Sequence, residues 1–281
     1  MSNYYCIMAG IPTVSLADVK PGVSVAELRQ QLESELTKAD GQLLFLLFLR
    51  HDCENIVRLL KHPSATVTYD GNYNEEQYEQ LWADAQSIDL GTSVYPQFLL
   101  DFIREYPQNA ERTDWFADDE MLLQYYEYCI AKSQNAFVHH WFQLNLDVTN
   151  ILTAMIARQQ GWKVSDYVKG SSEVADMICT NDTRDFNLGT VRDFVPEVMK
   201  IVDEKDPVEK ERKLDAFKWL WLDEQTFADT FSIEAVFAYL CKLEIQERWA
   251  LLDAVQGRET FERIINDLRS EAQVPAEFIK K

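Results

Sequence analysis

From Ala117 to Gln160 the chain runs for 44 residues without a glycine or a proline. These two residues are the ordinary interrupters of a helix, and the span is dense in Leu, Tyr, Phe, Trp and Ile. It predicts two helices meeting near Ser133-Gln134-Asn135, or one long bent helix, closed by Gly161 in the position just past a helix end. Only 9 Gly and 8 Pro occur in all 281 residues, too little punctuation for the frequent tight turns of a β-sandwich. Apolar and aromatic residues recur throughout, at 47% and 12%, which excludes a globally disordered chain. The expected class is all-α.

Local signals place the other elements. Tyr4–Pro12 is apolar and stops at Gly10 and Pro12, and reads as a short strand or an extended segment. Ser24 and Glu27 form a capping box ahead of Leu28, Leu32 and Leu36. Further helices are expected over Asp40–Lys61, stopped by His62-Pro63, from Asn74 with Gln77 through Ala85, and over Tyr95–Glu105 before Tyr106-Pro107. Residues 162–190 are more broken. Helices resume over Thr190–Val202, Pro207–Leu222, Ser232–Val255 and Glu259–Arg269, with Pro207 in a first turn.

Lys and Arg number 27 against 47 Asp and Glu, a formal charge of −20. The excess is spread evenly: 13 acids to 6 bases in residues 1–100, 16 to 9 in 101–200, and 18 to 12 in 201–281. Such a field opposes nucleic acid and anionic lipid, and suits either a solvated surface or a face for a basic partner. Cys6, Cys53, Cys129, Cys179 and Cys241 are dispersed, odd in number and without CxxC spacing, and read as reduced, mostly buried thiols of a cytoplasmic protein. The longest apolar run, Leu43–Leu49, is far short of the roughly 20 residues that cross a bilayer. The first residues lack the basic region of a signal peptide, so any membrane association is expected to go through partner proteins.

The most informative pattern is an internal similarity. Asp52-Cys53-Glu54-Asn55-Ile56 returns as Asp147-Val148-Thr149-Asn150-Ile151, and more weakly as Glu244-Ile245-Gln246-Glu247-Arg248, at spacings of 95 and 97 residues. In each copy the acid and the polar residue three positions on share a helical face. That face continues as Ile56, Leu59 and Leu60, as Ile151, Ala154 and Met155, and as Arg248, Leu251 and Leu252. Five positions before the acid stand Leu47, Phe142 and Tyr239. The period suits three pseudo-repeated helical subdomains, approximately 1–105, 106–202 and 203–281, within a single structural unit around a central cavity. Asp52, Asn55, Asp147, Asn150, Glu244 and Glu247 are the candidate repeat-face residues. Their plainest role is to cap or bridge neighbouring helices.

The run Phe231–Arg248 resembles the C-terminal helix of the V/A-type ATPase central-stalk family called C or d, with its aromatic, small-residue and acid-x-x-x-Arg pattern. The segments around Asp52-Asn55 and Asp147-Asn150 resemble that family's other acid-x-x-Asn-Ile helices. The opening Asn3–Pro12 looks like an uncharacterised bacterial family encoded beside V-type ATPase genes. About a quarter of the chain carries the likeness; the chain is shorter than the usual family member, and Arg248 stands where the other copies have Ile. The resemblance implies three similar helical domains forming a funnel that joins the rotating shaft to the membrane rotor ring. It implies a non-enzymatic adapter of ion transport, cytoplasmic and held at the inner membrane by the central-stalk subunits and the ring. An assembly or regulatory factor for the same ATPase is the alternative.

A search for chemistry returns little. His139 and His140 point to different helical faces, and His51-Asp52-Cys53 diverge by about 100° per residue, so neither set converges on a metal or a substrate. No phosphate-binding glycine loop occurs, and no cofactor is expected. Asp118-Asp119-Glu120 fits the acidic first turn of a helix, or else the site of a helical metal-dependent enzyme, the alternative of another class. Of the tryptophans, Trp219 and Trp221 would face different sides of their helix.

Overall fold

The computed structural model describes residues 4–16, 21–67, 70–87, 94–106, 114–170 and 172–271, with 114–116 and 253–271 described by backbone only. Among these residues there are eleven α-helices and no strand, so the chain is all-α. The first helix, α1 (Tyr5–Gly10), replaces the strand or extended segment expected there. No strand is described with which it could pair, and a helical turn bonds its own backbone, as Met8 N–H does to the Tyr4 carbonyl.

Side-chain caps start the next elements. Ser24 and Glu27 close a reciprocal capping box on α2 (Val25–Glu33). Thr37 caps α3 (Lys38–Lys61), two residues ahead of the expected start, and the chain leaves that helix at His62-Pro63. Asn74 and Gln77 form a second box on α4 (Glu75–Gln86). Helix α5 (Gln97–Glu105) follows Pro96; Pro107, its expected stop, lies outside the described residues. The glycine-free span divides as its polar centre predicts, into α6 (Asp114–Lys132) and α7 (Ala136–Gln160), with Asn135 capping α7 and Gly161 closing it at φ 72°.

After α7 come α8 (Glu173–Thr180), capped by Ser172, then α9 (Val195–Val202), which starts five residues later than expected, and α10 (Pro207–Thr226), capped by Asp206. Ahead of α9 the chain makes a turn through Phe186 and Asn187, both at positive φ, and then a 3-10 turn at Leu188–Thr190 where the helix was expected to begin. Arg158 holds that turn by donating to the Thr183 and Asn181 carbonyls, with its guanidinium 3.9 Å from the Phe186 ring. The last helix, α11 (Ile233–Glu271), is continuous over 39 residues, where two helices were expected. A lone internal glycine such as Gly257 costs a helix only about 1 kcal/mol, too little to break it.

The chain divides into two compact units, residues 3–34 with 229–281, and residues 35–228. The expected pseudo-repeat boundaries at 105/106 and 202/203 both fall inside the second unit. There α6 lies between α3 and α7, α5 packs on α4 and α6, and α8 and α9 pack on α7. The Tyr125 hydroxyl donates to the Leu46 carbonyl of α3 at 2.9 Å, and its ring meets Phe142 of α7 edge-on at 5.6 Å. Trp219 is buried, whereas Trp221 turns to Phe137 and Trp141, as the helical spacing predicts. Cys53, Cys129 and Cys241 are buried thiols; Cys6 and Cys179 are exposed ones.

In the first unit the N-terminal segment is tied to α11. The Tyr4 N–H donates to the Phe231 carbonyl, the Tyr239 hydroxyl to the Pro12 carbonyl at 2.7 Å, and the Gln246 amide to the Ser15 carbonyl at 2.6 Å. No described helix of either unit is long and apolar enough to cross a membrane.

Candidate functional site

Three of the repeat-face residues, Asp52, Asn150 and Glu247, grip backbone groups of other segments, and Asn55 and Asp147 meet side chains beside those grips. Asp52 sits fully buried in the middle of α3, and its carboxylate receives five hydrogen bonds from four donors. The Asn72 N–H reaches both oxygens at 3.0 and 2.9 Å, its amide side chain reaches Oδ2 at 2.9 Å, and the Tyr73 N–H reaches Oδ1 at 3.1 Å. The Tyr78 hydroxyl donates to Oδ1 at 2.8 Å and accepts from the Asn55 side chain at 3.2 Å. Asp52 and Asn55 thus act together, holding the loop that leads into α4.

Burial raises the Asp52 carboxyl above its ordinary value, against the lowering effect of the Asn72, Tyr78 and Tyr73 donors. Burial and the Asp52 charge likewise push up the phenols of Tyr73 and Tyr78. The donors fill the roughly four lone-pair sites of a carboxylate, so this group is a post for the loop and presents little to a substrate. Gly71 is part of the same geometry: a Cβ there would lie 2.2 Å from Asp52 Oδ1. Gly71→Ala is expected to cost about 1–3 kcal/mol, the usual range for overpacking, measured by denaturant unfolding.

Helix α7 repeats the device with different partners. Fully buried Asp147 accepts from the Gln143 amide at 2.8 Å and the Ser172 hydroxyl at 3.5 Å, and Arg192 Nε lies 3.5 Å from its other oxygen. Burial raises this carboxyl too, with Gln143, Arg192 and Ser172 pulling it down. Asn150 clasps Lys169 from both sides, donating to its carbonyl at 2.8 Å and accepting from its N–H at 3.1 Å. The segment held here leads into α8. A Cβ on Gly170, which stands at φ 91° in the same segment, would lie 3.3 Å from Leu146 of α7.

The third set departs from the pattern. Glu247 Oε1 accepts the Val25 N–H at 2.8 Å, one of the donors that the first turn of α2 cannot satisfy internally. Glu244 lies half-buried one turn earlier on α11. The apolar stripe expected beyond the acid is buried at Ile56, Ile151 and Ala154, but Leu251 and Leu252 of α11 are 67% and 42% exposed. The grips of α3 and α7 stand apart, each on its own loop, and that of α11 belongs to the other unit.

Sequence reasoning missed the gripped residues, Asn72, Tyr73, Tyr78, Lys169, Ser172, Arg192 and Val25. A signal for them exists. Gly22, Gly71 and Gly170 each stand two or three residues before a helix cap, at Ser24, Asn74 and Ser172. A Cβ on Gly22 would come within 2.9 Å of Pro12. The histidines and the acidic run are engaged locally: the His139 ring bonds the Ile130 carbonyl, and Asp118 pairs with Lys61. Asp118-Asp119-Glu120 fall in the second turn of α6 instead of the first, because that helix already begins at Asp114. Among the described residues no three His, Cys, Asp or Glu side chains are placed to hold a metal ion.

Comparison with known proteins returns no curated protein and no solved structure. A family model does match, over residues 1–272, under the description protein of unknown function, DUF2764. By that match, which takes in both units and all three grips, the chain belongs to the DUF2764 family.

Proposed function

We propose that this chain is a non-enzymatic component of a V/A-type rotary ATPase, an adapter that couples the central stalk to the membrane rotor ring. The observation that carries the reading is the recurrence of one device. A long helix uses polar residues near its middle to hold a glycine-containing segment just ahead of a short capped helix, in α3–α4 and α7–α8, with Glu247 of α11 and α2 as a divergent third. This supports three related modules, the third assembled from the two ends of the chain. Together with the resemblance of the three acid-bearing helices to those of the central-stalk family, it favours the funnel architecture and its central cavity.

An adapter must transmit torque with little internal yielding. Close-packed helices, large buried aromatics and loops pinned by buried carboxylates suit that demand. The acidic surface suits basic faces of the shaft or ring, through contacts that weaken with salt. On this reading the protein works on the cytoplasmic side, held at the membrane through its partners. The test is deletion of the gene with purification of the detergent-solubilised ATPase. The adapter reading expects fixed-stoichiometry co-purification and loss of ATP-driven ion pumping on deletion. A complex that assembles and pumps normally without the chain overturns it, and transient, substoichiometric association replaces it with an assembly or regulatory role.

A further inference from the structure

Residues 1–17 carry no charged side chain, in a chain that is 26% charged. Of their described part, residues 4–16, only Tyr4 is buried, and α1 buries none of its own residues. This strap is tied to α11 by its main chain. The Tyr4 N–H donates to the Phe231 carbonyl at 2.9 Å, and the Pro12 and Ser15 carbonyls accept from the Tyr239 hydroxyl and the Gln246 amide. Tyr239 and Gln246 stand seven residues apart on one face of α11, about 10.5 Å along its axis. Pro12 and Ser15 are about 10 Å apart in an extended chain, so the two donors match the carbonyls of an extended segment running parallel to the helix. Both read a carbonyl, whatever side chain its residue bears.

Gln246 is only half used. Its side chain is buried, and Oε1, beside the Nε2 that serves Ser15, has no hydrogen-bond partner among the described residues. Asn150 shows the complete form of such a grip, taking the carbonyl and the N–H of Lys169 together. We propose that the strap occupies in cis a groove of α11 that receives an extended, charge-free apolar segment of a partner protein, one that offers Gln246 an N–H as well as a carbonyl. The strap is the template for that chemistry, and its unmet acceptor leaves room for a better ligand. Residues 4–16 leave as a unit, because a segment that buries one side chain opens at low cost. The inference stands on residues 3–34 with 229–281 and does not need the rotary-ATPase reading.

The test uses the full chain and a synthetic peptide of residues 3–16, capped at both ends and carrying Cys6→Ser. The wild type is expected to bind it weakly, since the strap competes. Tyr4→Ala in the protein removes the strap's one buried side chain and leaves the α11 donors in place, and should tighten the apparent affinity about ten-fold or more. Adding Gln246→Leu should weaken it again by about five-fold or more, as loss of a buried hydrogen bond does. A scrambled peptide should not saturate. Equal binding to wild type and Tyr4→Ala, no saturable binding to either, or equal binding of the scrambled peptide overturns the proposal. So does a dimer that the peptide dissociates, which gives the groove to the strap of a second copy. Hydrogen exchange on the unaltered chain needs no variant: the Met8 and Ile11 amides should exchange through an opening that leaves Leu240 and Leu243 protected. Exchange of both sets only by global unfolding overturns the proposal as well.

Discussion

Asp52→Ala is expected to lower the stability of the unit formed by residues 35–228 by about 2–4 kcal/mol, the cost of leaving several donors without their acceptor less the relief of no longer burying a charge. The loss does not come from the carboxylate alone. Its removal leaves the buried Tyr78 hydroxyl and the half-buried Asn72 and Tyr73 N–H groups without their acceptor. Each unsatisfied donor costs about 1–3 kcal/mol, while the relief of no longer burying a charge offsets part of the sum. Urea unfolding followed by far-UV circular dichroism measures it. A second substitution identifies the cause: Tyr78→Phe should cost less in the Asp52→Ala background than in the wild type, because its hydroxyl has already lost that acceptor. If Asp52→Ala costs under about 1 kcal/mol, the loop before α4 is held by something other than this grip.

Phe142→Ala is expected to cost about 3–5 kcal/mol through a different mechanism, a cavity in the core. The ring is buried on α7, 5.6 Å from that of Tyr125 and 6.5 Å from that of Tyr126. Tyr125 in turn bonds the Leu46 carbonyl, so the removed atoms support the packing that joins α7 through α6 to α3. The same unfolding measurement checks it, with His140→Ala as the control. That residue is exposed two positions away on the same helix, and its loss should stay within about 0.5 kcal/mol. Equal effects at the two positions would mean that α7 is not packed as described.

The helices themselves were largely legible because their signals are local. Ser24 with Glu27 and Asn74 with Gln77 announce two starts, and Asn135 and Gly161 bracket α7, since caps involve residues within a turn of one another. The errors fell where no local signal decides. Tyr5–Gly10 has the apolar content of a strand, yet strand pairing requires a distant partner. The 256–258 region reads as a break, yet α11 runs through it.

The candidate site divides in the same way. Helical spacing was enough to put Asp52 with Asn55, and Asp147 with Asn150, on shared faces, and bridging was the plainest role for them. It gave no way to name Asn72, Lys169 or Arg192, which are 19 to 45 residues from the acids or amides they meet. Nor did it separate the third copy, whose contact with α2 spans 222 residues.

What the sequence alone determined is therefore the helical class, most element boundaries and the faces on which the polar pairs lie, all consequences of bonding and periodicity within a few turns. The tertiary structure decided which backbone each pair grips, which of the three apolar stripes is covered, and that residues 3–34 join 229–281 in one unit. Those outcomes depend on which distant segment fills the space beside a helix, a matter of shape and desolvation across the whole unit that no local pattern of residues encodes.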